Sequence, residues 1–466
     1  MFRVDKTLFW GQIRPAMKTA VRIASIEIEN LKNVHKGSIV MPRGMAGFNP
    51  DEGELLGIYG QNGTGKTAVV NAIGLIYNLI NGYPLEDEVP SLMTYGRNTS
   101  TLTVVFKVEG EQSYDVQYSI TLARDADTFH IRREALTLRV NKSKARTSTI
   151  AEFNEESMPV TEDVFPNATL LKIQGLSSRQ DILVNKVLAY QSKRSYIFNE
   201  RMFGLLLNLG EDQAVVLQAV RNFAEKQLFI FSHWNTGLVN LNTQPIHIAH
   251  CGESGTDIGT CFINLNAPAA FPIGQFACFK ETLKQINQVL CTLIPGLTLS
   301  VKELGTELQT ADKEVMRFEL LSSRDGMQIP LKQESDGIKK IVAMLLHWIT
   351  ASNTPGSCLV VDELDASIFE YLLGELLSIW KEHAQGQLIF TAHNLHPLEV
   401  LDKRSVVFTT TNPEERFIRL KNIKTCNNLR DVYLRSIFVG GQEYELYDET
   451  SKTDIARAIR MCTSNC

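Results

Sequence analysis

Leu55-Leu56-Gly57-Ile58-Tyr59 runs directly into Gly60-Gln61-Asn62-Gly63-Thr64-Gly65-Lys66-Thr67, and Ala68 to Leu79 follows with helical spacing. A short apolar strand therefore enters a glycine-rich loop, and a helix leaves it. The eight loop residues match G-x-x-x-x-G-K-[ST] in full. Gly60, Gly63 and Gly65 allow the backbone to wrap closely, so that successive N–H groups, those of Asn62, Thr64 and Ala68 among them, turn toward phosphate oxygens. Lys66 is expected to reach the β- and γ-phosphates, and the Thr67 hydroxyl to hold Mg²⁺. The helix presents its N-terminus to the same anion. The expected ligands are ATP and Mg²⁺.

A second half-site lies far downstream. Cys358-Leu359-Val360-Val361 is an apolar strand delivering Asp362 and Glu363 to its C-terminal edge. Asp362 is suited to support the metal shell, and Glu363 to polarise an attacking water as general base. Lys66 and Asp362 are 296 positions apart, so one nucleotide site flanks a long insertion.

Outward from these motifs, Ile23, Ile26 and Ile28 lead a strand, while residues 36–54, rich in glycine and proline, read as loop. From Leu102 to Val140 the alternation predicts an antiparallel meander with one wet face. Residues 181–231 read as two helices, and 242–270 as a loop or small irregular element. Phe276 to Leu293 is helical and stops at Pro295-Gly296; 297–333 alternates again. Ser405 to Thr409 and Phe417 to Leu420 are closing strands. The expected class is an α/β P-loop fold with a two-lobed split head, an antiparallel meander and a helical insertion. Its expected division is an extension over 1–20, an N-lobe over 21–180, an arm over 181–300 and a C-lobe with terminal segment over 301–466.

This split arrangement resembles the heads of the SMC, Rad-fifty and RecF branch of the ABC-type ATPases, with the OLD-type nucleases as relatives. That resemblance implies further landmarks. Asn30-Leu31-Lys32-Asn33 matches the turn near the adenine, Leu31 standing where an aromatic is usual, so Asn30 and Lys32 join the nucleotide site. Glu334-Ser335-Asp336-Gly337 matches the signature, with Ser335 and Gly337 contacting the γ-phosphate held by the opposite subunit; the hydroxyl and helix N-terminus suit an anion. Asp365 takes the D-loop position that couples two sites, and His393, ending Gln387 to Ala392, takes the γ-phosphate-sensing position. For the metal-contacting Q-loop, Gln174 is the choice and Gln180 competes. Glu363, His393 and Lys66 are the implied catalytic residues; Thr67, Asp362 and Gln174 the metal contacts.

About 120 residues of insertion cannot form the long coiled coil of the tethering relatives, and the 73 residues after His393 leave no room for a Toprim nuclease. The pattern from Asn428 to Leu434 and Gly440-Gly441 is similar to small ATPases of anti-phage defence operons, the ATPase subunit of PARIS-type systems among them. The resemblance implies a switch whose heads pair around ATP, as a homodimer or higher homo-oligomer. It implies a separate Toprim-like effector nuclease and a phage-encoded trigger. The alternative is a RecF- or Rad-fifty-like repair ATPase acting on DNA. Against it, Lys plus Arg number 47 and Asp plus Glu 52, a net charge of −5 with no basic excess. Lys193, Arg194 and Arg201 form a local basic stretch that suits either DNA or a solvated helix face. No apolar run nears the ~20 residues of a membrane span, and the first residues lack a signal-peptide core. Eight scattered cysteines without a CxxC pair fit reduced thiols in the cytoplasm.

Overall fold

The computed structural model describes residues 19–44, 48–125, 128–142, 146–155, 179–208, 210–252, 255–309, 313–421, 428–448 and 450–463. Its centre is a six-stranded sheet in the order β18-β17-β3-β16-β15-β8. These strands are β3 (Glu54–Tyr59), β8 (Leu228–Phe231), β15 (Cys358–Val361), β16 (Gln387–Ala392), β17 (Val406–Thr409) and β18 (Phe417–Ile418). All but β18 run parallel. Strands buried on both faces explain why β3, β15 and β16 read as continuous apolar runs. Leu56, Ile58, Cys358, Val360 and Ile389 enter one core. Their sequence neighbours Leu55, Tyr59, Leu359, Val361, Leu388 and Phe390 enter the other.

On the first face lies an antiparallel sheet in the order β2-β1-β4-β5-β6-β7. It comprises β1 (Ala20–Leu31), β2 (Val34–Val40), β4 (Thr99–Glu109), β5 (Tyr114–Arg124), β6 (Phe129–Val140) and β7 (Ser148–Asn154). The expected meander is present. Part of the expected 36–54 loop is instead strand β2, whose Val34 and Ile39 are buried beneath its partner. Helix α1 (Lys66–Ile80) packs between the two sheets. The same core takes side chains from α2 (Arg179–Gln191), α3 (Glu200–Leu206) and α4 (Glu211–Asn222), from the segment read as two helices.

A polar clasp joins the sheets. Gln387 on β16 accepts from Ile23 N–H (2.9 Å) and donates to Ile23 O (2.8 Å) and to Glu54 (2.7 Å). The buried guanidinium of Arg22 donates to the carbonyls of Glu52 (2.7 Å) and Gln385 (2.5 Å). Glu134, fully buried, accepts from Tyr118 Oη (2.5 Å), Ser195 Oγ (2.5 Å) and Tyr196 N–H (2.7 Å), fastening the start of α3 to the meander. Gln387 and Glu134 tolerate burial because they find partners, whereas Arg22 keeps Nε and Nη1 buried without one among the described residues.

The second face carries α5 (His233–Asn240), α6 (Ile273–Leu293), α7 (Asp336–Asn353) and α8 (Glu370–His383). A smaller sheet adds β11 (Ala269–Pro272), β12 (Thr298–Gln309), β13 (Lys313–Arg324) and β14 (Met327–Pro330). The stretch 242–270 is more ordered than expected. It holds the hairpin of β9 (Thr243–Gly252) and β10 (Gly255–Asn264). Gln244, Ile246 and Ile248 point inward from β9, with Gln244 donating to Lys339 O (2.9 Å). Pro245 within β9, and Gly252, Gly255 and Gly259 along the hairpin, masked that alternation. The segment 181–300 is thus helical in part, yet it also supplies an outer strand of the central sheet. The chain ends in α9 (Leu429–Val439) and the exposed α10 (Lys452–Thr463).

His347 on α7 lies against His247 (ring centroids 4.4 Å) and Phe229 (5.2 Å). Burial, then the neighbouring His247, pushes its imidazole down to about 3 from an ordinary 6.5. Between those values the unfolded chain binds the extra proton, so this contribution is complete above pH 6.5 and is lost as pH falls. The melting temperature should decline on acidification from about pH 6.5, before ordinary carboxylates near 4 titrate, and His347→Phe should flatten that limb in a calorimetric pH series.

Candidate functional site

The C-terminal ends of β3, β15 and β16 lie side by side, because Gln387–Ala392 pairs in register with Glu54–Tyr59 and with Cys358–Val361. This brings the loop after β3, the acids after β15 and the histidine after β16 to one edge of the sheet, the usual ligand side of an open α/β sheet.

The loop has the conformation its glycines predict. Gly65 stands at φ 89°, and a Cβ there would press on Val34. Thr64 is buried against Thr409 Oγ1 (2.5 Å), and Ala68 N–H donates to Gly65 O (3.1 Å) as α1 begins. Lys66 is 6% exposed, and its Nζ is turned onto the carbonyls of Gly60 (2.8 Å) and Gln61 (2.9 Å). Asn33 Nδ2 donates to Gly63 O (2.7 Å), tying the turn after β1 to the loop. Asn30, near the end of β1, and Lys32, in that turn, stand at φ 56° and 50°. Asn30 O accepts from Thr94 N–H, while Lys32 lines a cavity of about 400 Å³ with Asn62, Gly63, Tyr95 and Arg416. Asp448 lines it too, its N–H donating to Gln61 Oε1 (3.0 Å).

Asp362 is 1% exposed. Its Oδ1 accepts from Thr391 Oγ1 (2.6 Å) and faces Thr67 Oγ1 (3.4 Å). Oδ2 is buried without a hydrogen-bond partner. An orphaned carboxylate oxygen beside a threonine hydroxyl fits a hard divalent cation. Glu363 is exposed at φ 50°, its N–H donating to Thr391 Oγ1 (2.7 Å). Asp365 Oδ2 accepts the N–H groups of His393 (2.8 Å) and Asn394 (2.6 Å). Partial burial and then the Lys66 cation lower the pKa of the His393 imidazole, which favours its neutral form. Burial likewise brings Lys66 and Lys340 down to about 8, opposed by Asp362, Glu363 and Asp365.

Ser335 is the exposed N-cap of α7, accepting from Ile338 N–H (3.4 Å), and Gly337 is buried behind it. Its polar contacts are to its own helix, leaving the hydroxyl presented outward. Gln174 lies outside the described residues, and Gln180 falls in the first turn of α2. The strand flanking β15 is β8: Asp362 N–H donates to Phe231 O (2.8 Å), and the next residues are Ser232 and His233. His233 Nδ1 lies 3.9 Å from Asp362 Oδ2. A histidine at the start of α5, just past the neighbouring strand, thus approaches the orphaned oxygen.

Sequence reasoning missed His233, Thr391 and Lys340. A signal existed for the first, since Leu228-Phe229-Ile230-Phe231 is an apolar run ending in polar residues, like Cys358 to Val361. Among the described residues, no helix is long and apolar enough to cross a membrane.

No protein-family model and no curated protein matches the chain. Similar solved structures include the Smc head domain of Pyrococcus furiosus bound to the C-terminal domain of ScpA. The two are 12% identical, with 86% of this chain and 96% of that chain covered, at a TM-score of 0.40. A SmcHead bound to the C-winged helix domain of ScpA is 13% identical over 85% and 97%, at 0.39. The SMC head domain of Thermotoga maritima is 13% identical over 86% and 100%, at 0.37.

Proposed function

We propose that this chain is an ABC-type ATPase head that binds ATP with Mg²⁺, pairs with a second copy around it, and hydrolyses it. The observation that carries the reading is the convergence of Lys66, Thr67, Asp362, Glu363 and His393 at one sheet edge. Lys66 would exchange the Gly60 and Gln61 carbonyls for phosphate oxygens, gaining charge-assisted bonds. Thr67 Oγ1 and Asp362 Oδ2 would hold the cation, which supplies charge neutralisation at the phosphates. Glu363 would accept a proton from the attacking water, its backbone set by Thr391. His393, neutral, can donate one hydrogen bond to the γ-phosphate.

Ser335, outward-facing on a helix N-terminus, suits the nucleotide held by the other copy. ATP then acts as a removable link whose loss on hydrolysis weakens the pair. In the cytoplasm, such a pair would hold and release a separate Toprim-like effector nuclease on a phage-encoded trigger. This part rests on the sequence resemblance to anti-phage ATPase subunits. The rival, a repair ATPase gripping DNA, loses support at Lys193 and Arg194. Lys193 Nζ pairs with Asp87 (2.6 Å) over the Phe129 ring, and Arg194 donates to Gly82 O (3.1 Å).

Analytical ultracentrifugation tests the core of the reading. Mg²⁺ and ATP should convert the chain to a dimer or higher assembly, and ADP should not. A sedimentation profile indifferent to nucleotide would refute paired heads. A steeply salt-dependent affinity for duplex DNA, lost in Lys193→Ala/Arg194→Ala, would restore the repair reading.

A further inference from the structure

Lys340 is a lysine with no role in the chemistry so far described, yet it is 1% exposed. From the first turns of α7 its Nζ donates to the carbonyls of Glu363 (2.5 Å) and Ala366 (3.0 Å). A buried ammonium is expensive unless its bonds are made, and here they are made to the turn carrying the general base. That turn is unusual in itself. Glu363 and Ser367, neither a glycine, sit at φ 50° and 64°, conformations that persist only when their surroundings hold them. Gly337 packs on the same turn from the same helix, so closely that a Cβ would overlap the Ser367 carbonyl oxygen. On the other side, Asp365 is anchored to the backbone of His393 and Asn394.

The helix that presents Ser335 and the turn that presents Glu363 are therefore one packed unit within a subunit. In the paired heads proposed above, on which this inference rests, those residues serve different nucleotides: Ser335 the partner's, Glu363 its own. We infer that Lys340 is a positioning residue that couples the two sites, so that ATP engaging Ser335 from the partner copy sets the Glu363 turn for hydrolysis of the subunit's own ATP. A shift of α7 on engagement would move both carbonyls that Lys340 holds, and with them the general base.

The test compares the full chain with Lys340→Met, which keeps length and removes the donors, and Lys340→Arg, which keeps donors and charge. Steady-state ATPase is followed against ATP concentration, and affinity for a fluorescent ATP analogue is measured separately. Wild type should turn over cooperatively, with a Hill coefficient approaching about 2 for two coupled sites. Lys340→Met should lower kcat by about tenfold or more, the scale of a misplaced catalytic group. Its Hill coefficient should fall to about 1 with two uncoupled sites, while analogue affinity is retained. Lys340→Arg should recover both kcat and cooperativity in large part.

The inference is overturned if Lys340→Met keeps the parental kcat and Hill coefficient. It is equally overturned if that variant loses analogue binding along with turnover, since a merely structural lysine would do that. Wild-type ATPase with a Hill coefficient of about 1, against the limit of two set by two sites, would sink the coupling yet leave the hydrolytic reading intact. Wild type that binds ATP without hydrolysing it would remove both.

Discussion

Glu363→Gln should reduce ATP turnover by about 10²–10⁴-fold, the usual worth of a positioned general base, while leaving ATP binding and ATP-driven pairing in place. The two side chains are nearly isosteric, but an amide cannot accept the proton. Glu363 is exposed at the sheet edge, so the substitution buries nothing, and its backbone remains held by Thr391 and Lys340. Pairs formed on ATP should outlive those of the parent, because the step that dissolves them is blocked. Single-turnover hydrolysis measures the first effect and velocity sedimentation after dilution the second. Parental hydrolysis in this variant would remove Glu363 as the base; normal dissociation with slowed hydrolysis would remove hydrolysis as the release step.

Lys66→Ala should weaken ATP binding by roughly 10–100-fold, the equivalent of one charged hydrogen-bonding group at about 1.5–3 kcal/mol. In the structure the ammonium is nearly buried and satisfied by two loop carbonyls, with no carboxylate among the described residues bound to it that a phosphate would have to displace. Removing it should hardly change the affinity for adenosine, which lacks the groups that Lys66 serves. Calorimetric titration of ATP and adenosine separates these contributions. An equal loss for both ligands would mean that the loop had collapsed, and no loss for ATP would mean that phosphates bind elsewhere.

Much of this site could be read before any contact was visible, for a local reason. A phosphate loop places strand, turn and helix within about twenty consecutive residues, so spacing alone encodes its geometry. Asp362-Glu363 is found the same way, as the acid pair ending an apolar strand, while His393 is placed by its match to the landmarks of the ATPase heads that the chain resembles. The Ser335 turn comes likewise from the resemblance, with a hydroxyl and a glycine at the start of a helix as its physical support. The strand β2 and the hairpin β9–β10 were hidden because glycine, proline and asparagine interrupt alternations that become clear only once one face is seen to be buried.

The sequence by itself determined that a phosphate loop and an acid pair 296 positions away belong to one α/β fold. Only the tertiary structure decided the neighbours. Parallel strands are joined by long crossovers, so their lateral order is not written in any local spacing. That order places β8 beside β15, and thereby brings His233 near the orphaned oxygen of Asp362. The same holds for Lys340: the serine, glycine and acids around it are motifs, but its grip on Glu363 spans 23 residues and a β-strand. Side chains that recognise a ligand are legible in sequence where chemistry dictates their type and spacing. Those that hold such residues in place become visible only when helix and sheet are packed together.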